Sequence, residues 1–266
     1  MENRSSLEDL TKIVRRLRGE DGCPWDRVQT HETLREAMLE EAYEAVDAIE
    51  RRDTRNLKEE LGDVLLQVVF HALLAEEAGS FTLEDVIAGI CDKMIYRHPH
   101  VFGDTKADTA EEVLTNWEAL KKKEKQITTQ TQAMKEIPMA LPALLRAKKV
   151  QKKAAEVGFD FSDFAGAMDK VREELEEVTE AVEMGVGAEE EELGDFLFAV
   201  VNISRFLKIN PEIALTKASK KFINRFEYVE NSALSEGKQL SEMTLKEMDL
   251  LWDEAKAKSL SDEKSK

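Results

Sequence analysis

The 266-residue chain has few of the residues that build covalent or metal-sulfur frameworks. Its two cysteines, Cys23 and Cys91, lie in unrelated contexts. Two cannot make a disulfide scaffold or a cysteine-rich zinc site. Its four histidines all lack a glutamate three residues earlier. The Glu-x-x-His pair of a di-iron helical bundle is therefore missing. Five prolines and 12 glycines are scattered, with no low-complexity tract. Positive charge is in deficit, and the net charge is −17. That argues against a long nucleic acid, which needs a basic contact for each phosphate it neutralises, and against an anionic membrane surface. The longest nearly apolar run, 64–75, is interrupted by Gln67 and His71 and is too short to span a bilayer. The opening MENRSSLEDL has no apolar h-region, so no signal peptide is expected and the cytoplasm is the expected location.

What is abundant is Leu, Glu, Ala and Lys, a helix-favouring composition. The chain also repeats itself. Residues 60–69 read ELGDVLLQVV and residues 192–201 read ELGDFLFAVV, matching at seven of ten positions. Upstream, LEEAYEAVDAI (39–49) resembles REELEEVTEAV (172–182), and each carries Glu-Glu-x-x-Glu about 16 residues before Glu-x-x-Asp. Downstream, Thr82 and Asn210 are N-cap residues by type, and Pro211 suits a first helical position. A lysine follows each cap by 11 residues (Lys93, Lys221) and an arginine by 15 (Arg97, Arg225). Thr109-x-x-Glu112 and Thr244-x-x-Glu247 read as capping boxes. Each is followed by a tryptophan (Trp117, Trp252) and, four residues later, a lysine (Lys121, Lys256). Apolar spacing such as Leu61, Leu65, Val68 and Val69 is helical, and no segment sustains strand alternation.

These signals predict helices near 33–50, 56–78, 83–98 and 110–125, and again near 167–184, 189–208, 211–231 and 245–258. A short helix is expected near 143–156. The fold expected is all-α, two tandem four-helix domains: 1–126, a polar linker over 127–142 holding ITTQTQAM and two prolines, and 143–266. A frayed tail is expected after Lys258.

Residues three apart share a helix face, so Glu41 with Glu44 and Glu60 with Asp63 project in pairs from two helices joined by a short turn. Glu174, Glu177, Glu192 and Asp195 repeat the arrangement. Four converging carboxylates repel one another unless a cation lies between them. An all-oxygen set suits Mg²⁺, with Mn²⁺ as the alternative. Most glutamates in so charged a chain merely solvate a helix face. Here the acids stand immediately before an apolar run in both copies, although the surrounding surface has diverged.

Lys221 with Arg225, and Lys93 with Arg97, share a helix face and are suited to phosphate, Lys as a point charge and Arg as a bidentate fork. Taken alone they are equally a solvated face. Trp117 and Trp252 either stack on a base or pack the bundle, and packing is favoured. His98-Pro99-His100 has no counterpart in the second half and is set aside as a metal site. Cys23-Pro24-Trp25-Asp26 reads as a turn with an aromatic anchor.

The chain resembles the MazG family of all-α nucleotide pyrophosphohydrolases over nearly its whole length. The likeness rests on GCPWD (22–26), the two sets of four acids, RHPHVF (97–102), the paired Lys/Arg helices and the late tryptophans. The resemblance implies two MazG-like domains that hydrolyse nucleoside triphosphates, ordinary or damaged, to monophosphate and pyrophosphate with Mg²⁺. It also implies a homodimer, and a C-terminal domain that is the main catalytic one. Carried over, Glu174, Glu177, Glu192 and Asp195 hold metal. Lys170, Lys221, Arg225 and Trp252 contact nucleotide, with Glu173 and Glu191 beside them. The attacking water is expected to be activated by the metal or by a neighbouring glutamate such as Glu173. Glu41, Glu44, Glu60 and Asp63, with Lys93, Arg97, Trp117 and Lys121, are the first-half counterparts. Ala188 and Asn224 stand where some relatives carry Lys and Arg, and Ala37 stands at the position matching Lys170. A nucleotide-sensing helical protein without turnover is the alternative.

Overall fold

The computed structural model describes residues 5–185 and 187–263. Among these residues there are helices and no strand, as the periodicity predicts. The chain forms two compact units, Met1–Lys121 and Lys122–Lys266.

The first unit contains α1 (Leu7–Arg18), α2 (Pro24–Arg27), α3 (Arg35–Arg51), α4 (Thr54–Glu77), α5 (Leu83–Arg97) and α6 (Pro99–Phe102), and most of α7 (Ala110–Glu124). Its centre is the α3–α4 hairpin. Arg52 adopts a left-handed φ of 56°. Asp53 then caps α4 by accepting from the backbone N–H groups of Arg55 and Asn56, at 3.1 and 3.0 Å. So short a turn forces α3 and α4 side by side. Helix α1 was not expected. It starts with a Ser6–Asp9 capping box and puts Val14 into a core with Leu34, Val69, Phe70, Leu73 and Leu83. Arg18 ends α1 by donating to both Glu77 carboxylate oxygens, at 2.8 and 2.6 Å, and to the carbonyls of Asp26 and Gln29.

One expectation fails in this unit. Residues 24–27 form a single helical turn instead of a plain turn, and Trp25 on it is 61% exposed. Of the apolar residues at helical spacing on α4, Val69 is fully buried whereas Leu61 and Leu65 are exposed.

The second unit contains α8 (Gln130–Lys135), α9 (Ala143–Ala155), α10 (Phe164–Met184), α11 (Glu189–Phe206), α12 (Pro211–Ser235), a 3₁₀ turn (Leu240–Glu242) and α13 (Leu245–Glu263). Segment 127–142, expected as linker, carries α8. Thr129 and Gln132 cap it reciprocally, and α8 packs against α9. Gln130 and Lys122 both bond the Glu156 carboxylate, at 3.0 and 2.9 Å, tying this stretch to the end of α9. The α10–α11 hairpin repeats α3–α4, with Gly185 in the left-handed region at φ 60°. Asn210 caps α12 and Thr244 with Glu247 caps α13, as their sequence positions predict. α13 runs past Lys258 to Glu263, so the helix is longer than expected; residues 264–266 lie outside the described residues.

Candidate active site

In the second unit α10 supplies Glu174 and α11 supplies Glu192 and Asp195. The three offer carboxylate oxygens that all lie within 4.8 Å of one another. Glu174 is only 5% exposed, and its Oε2 is buried without a hydrogen-bond partner. A buried carboxylate oxygen left unpaired is costly, and a cation would offset that cost. Glu177, one turn along α10, is pushed above the ordinary glutamate range. Burial is the main cause, followed by the neighbouring charge of Glu174. Lys170 lies one turn before Glu174, with its Nζ 2.6 Å from Glu174 and 2.8 Å from Glu173. These two bonds hold Lys170 firmly protonated, well above its usual value. Glu191 is exposed in the first turn of α11.

The acids open onto a cavity of about 630 Å³ within this unit. Lys170, Glu174 and Asp195 line it together with Phe159, Phe161 and Phe198. Gln151, Asp160, Asn202 and Arg205 also line it. The Arg205 guanidinium pairs with the Asp160 carboxylate and donates to Asn202 Oδ1 at 2.6 Å. Sequence reasoning missed these residues. One signal was present: Asp195, Phe198, Asn202 and Arg205 recur at helical spacing and so share a face of α11.

The first unit brings Glu41, Glu60 and Asp63 together in the same way, within 4.8 Å. Glu60 is buried and held above the ordinary range by that burial, then by Glu44, which faces it closely enough to hydrogen-bond. Glu41 is raised by burial and by Asp63. The four acids therefore act on one another, as their spacing predicts. No lysine faces them from Ala37.

The helix-borne bases are placed differently. Arg225 stands over the Trp252 ring at 5.8 Å, and Phe222 meets the same ring at 4.9 Å. Lys221 is exposed, and none of Lys221, Arg225 and Trp252 lines the cavity. In the first unit Arg97 and Lys121 stand over Trp117, at 4.9 and 5.3 Å, and Lys93 is half-buried on α5. Both tryptophans are half-buried and carry an arginine over the ring.

Fold and site define a tandem all-α protein whose carboxylate clusters suit a hard divalent cation. The family model of the MazG nucleotide pyrophosphohydrolase domain matches the chain twice, at 29–102 and 156–230. A Thermotoga maritima protein named nucleoside triphosphate pyrophosphohydrolase/pyrophosphatase MazG is 45% identical over 250 residues, 94% of this chain and 95% of that one. An Escherichia coli nucleoside triphosphate pyrophosphohydrolase is 44% identical over 260 residues, 96% of this chain and 99% of its own. A Bacillus subtilis protein of uncharacterised role, YabN, is 50% identical over 92% of this chain and half of its own length. The chain belongs to the MazG nucleotide pyrophosphohydrolase family, whose members are hydrolases of acid anhydrides.

Proposed function

We propose that the chain hydrolyses nucleoside triphosphates to monophosphate and pyrophosphate with Mg²⁺, Mn²⁺ being the alternative, and that the second unit is the main site. The observation that carries this is the Glu174, Glu192 and Asp195 cluster, with its unpartnered buried Glu174 oxygen; two of its acids, Glu174 and Asp195, line a cavity large enough for a nucleoside. The donor set is all oxygen and fits a hard cation, held by Glu174, Glu177, Glu192 and Asp195. Bound there, such an ion supplies charge neutralisation and polarisation at the triphosphate. Lys170 faces the charge that develops as the bond between the α- and β-phosphorus breaks. Glu173, paired with Lys170, accepts the proton of the attacking water. Lys221 and Arg225 meet the leaving pyrophosphate, and Trp252 steadies Arg225 through their ring contact. Glu191 completes the acidic rim.

The protein is further proposed to work as a homodimer in the cytoplasm, with nucleotides as its partners. No described helix is long and apolar enough to cross a membrane. Leu175, Leu193 and Leu197 on α10–α11, and Leu61 and Leu65 on α4, are exposed. Such apolar faces suit a second copy.

The test is product analysis with ATP and dATP in Mg²⁺, with and without EDTA. Monophosphate plus pyrophosphate, abolished by EDTA, is expected. Diphosphate plus orthophosphate would place the cleavage elsewhere. Nucleotide binding with no product would favour a sensor.

A further inference from the structure

The cavity wall away from the acids has a polar feature that the proposed hydrolysis does not use. Gln151 on α9 is 6% exposed. Its Nε2 donates to the backbone carbonyl of Phe198 on α11, at 2.7 Å, and its Oε1 is buried without a partner. A carbonyl only accepts, so the amide nitrogen must face Phe198, and the oxygen is thereby fixed as the unused group. Asn202 stands one turn beyond Phe198 on α11, is 8% exposed and lines the same cavity. Its Oδ1 accepts from Arg205, which is itself held by Asp160. A guanidinium only donates, so the Asn202 amide is oriented with its NH₂ as the remaining function. Two carboxamides, each pinned at one end, thus line one cavity together with Phe159, Phe161 and Phe198.

We propose that Gln151 and Asn202 read the edge of the nucleobase: Gln151 Oε1 accepts an N–H from the base, and the Asn202 NH₂ donates to the ring nitrogen or carbonyl beside it. The aromatic wall takes the flat face of the base, where stacking is indifferent to sequence. This rests on the nucleotide substrate proposed above and specifies it. An acceptor beside a donor fits the amino and ring-nitrogen edge of adenine or cytosine. It fits the N–H and carbonyl edge of guanine, uracil or thymine equally well. The pair therefore admits each ordinary base and rejects a base that has lost or alkylated its N–H. The preference follows because only a base with an N–H relieves the buried, unpaired Gln151 Oε1, whereas a base without one leaves it as it was.

Calorimetry in Mg²⁺ buffer with two monophosphates tests this. AMP carries the amino group; purine riboside 5′-monophosphate keeps the ring nitrogens and carries no N–H on the base. The wild-type protein is expected to bind AMP on the order of tenfold more tightly or better. Gln151→Leu is expected to weaken AMP and leave the purine riboside nucleotide nearly unchanged, so that the ratio approaches one. Equal affinities in the wild type, no binding of either nucleotide, or a variant that weakens both alike would overturn the proposal. The wild-type comparison decides even if Gln151→Leu fails to fold. Pyrophosphate release is measured separately. Selective binding without release defeats the hydrolase and leaves the base edge standing; release with no preference for the N–H does the reverse.

Discussion

At the scale of single residues, Glu174 carries the clearest imprint of a missing partner. It sits on the inner face of α10 with one oxygen paired to Lys170 and the other buried and unbonded. An isolated chain would gain by replacing such a residue with an apolar one, since burying a carboxylate is costly unless it is fully paired. Its unpaired buried oxygen points to a ligand that completes it. Mg²⁺ is therefore expected to raise the melting temperature of the wild-type protein, through binding to the folded state alone. Glu174→Gln is expected to melt at or above the metal-free wild type and to lose most of the Mg²⁺ response. A full Mg²⁺ response in Glu174→Gln would move the cation elsewhere. Differential scanning fluorimetry over a Mg²⁺ titration reads both quantities.

At the scale of elements, the ring pair between His31, ahead of α3, and His71, within α4, invites a pH experiment. The rings stack, and their Nδ1 atoms are 2.8 Å apart. One nitrogen must donate and the other accept, so the contact needs at least one neutral ring. Burial, and then the His31 charge, push His71 below its ordinary 6.5. On acidification the unfolded chain therefore takes up the proton first. The contribution to stability is present above pH 6.5 and is lost as pH falls through the lowered folded value. Thermal melts from pH 7.5 to 5.5 are expected to show this loss, and His71→Gln is expected to flatten it. An unchanged slope in the variant would assign the pH dependence to other groups. The same elements show what was legible in sequence. The two hairpins and the caps at Thr82, Asn210 and Thr244 were readable because helical periodicity and N-cap chemistry are local. The acids of α3–α4 and α10–α11 were readable because a three-residue spacing fixes a face. Helix α1 and the Gln151–Asn202 wall were not. Val14 is core only because Val69 and Phe70 of α4, far along the chain, pack with it, and Gln151 is singular only because its amide donates to a carbonyl of another helix. The exposure of Leu61 and Leu65 was not readable for a related reason: periodicity identifies an apolar face without saying what covers it.

At the scale of the whole molecule, those uncovered leucines and the two acid clusters lead to separate tests. Light scattering at micromolar concentration is expected near twice the 30.2 kDa chain mass; a value near one chain would count against the dimer. The deeper question is why one chain keeps two sites. Each unit gathers three carboxylates within 4.8 Å, so cation binding alone does not separate them. The separation lies in the cation supplied by the protein. In the second unit Lys170 reaches both Glu173 and Glu174. The first unit has Ala37 at that position, and its Glu41 and Glu60 are instead raised by burial and by their fellow acids. A missing positive group opposite developing negative charge costs several kcal/mol, on the order of a hundredfold in rate. Arg35 lies two residues from Ala37 and therefore on a different face of the helix, a poor substitute. Asp195→Ala is accordingly expected to abolish nearly all pyrophosphate release, and Asp63→Ala to leave most of it, with both variants folded by circular dichroism. Placing Lys at position 37 should then raise the residual rate of the Asp195→Ala protein if the missing base is the cause. Equal losses from the two alanine variants would mean two working sites, and the opposite order would make the first unit the catalytic one.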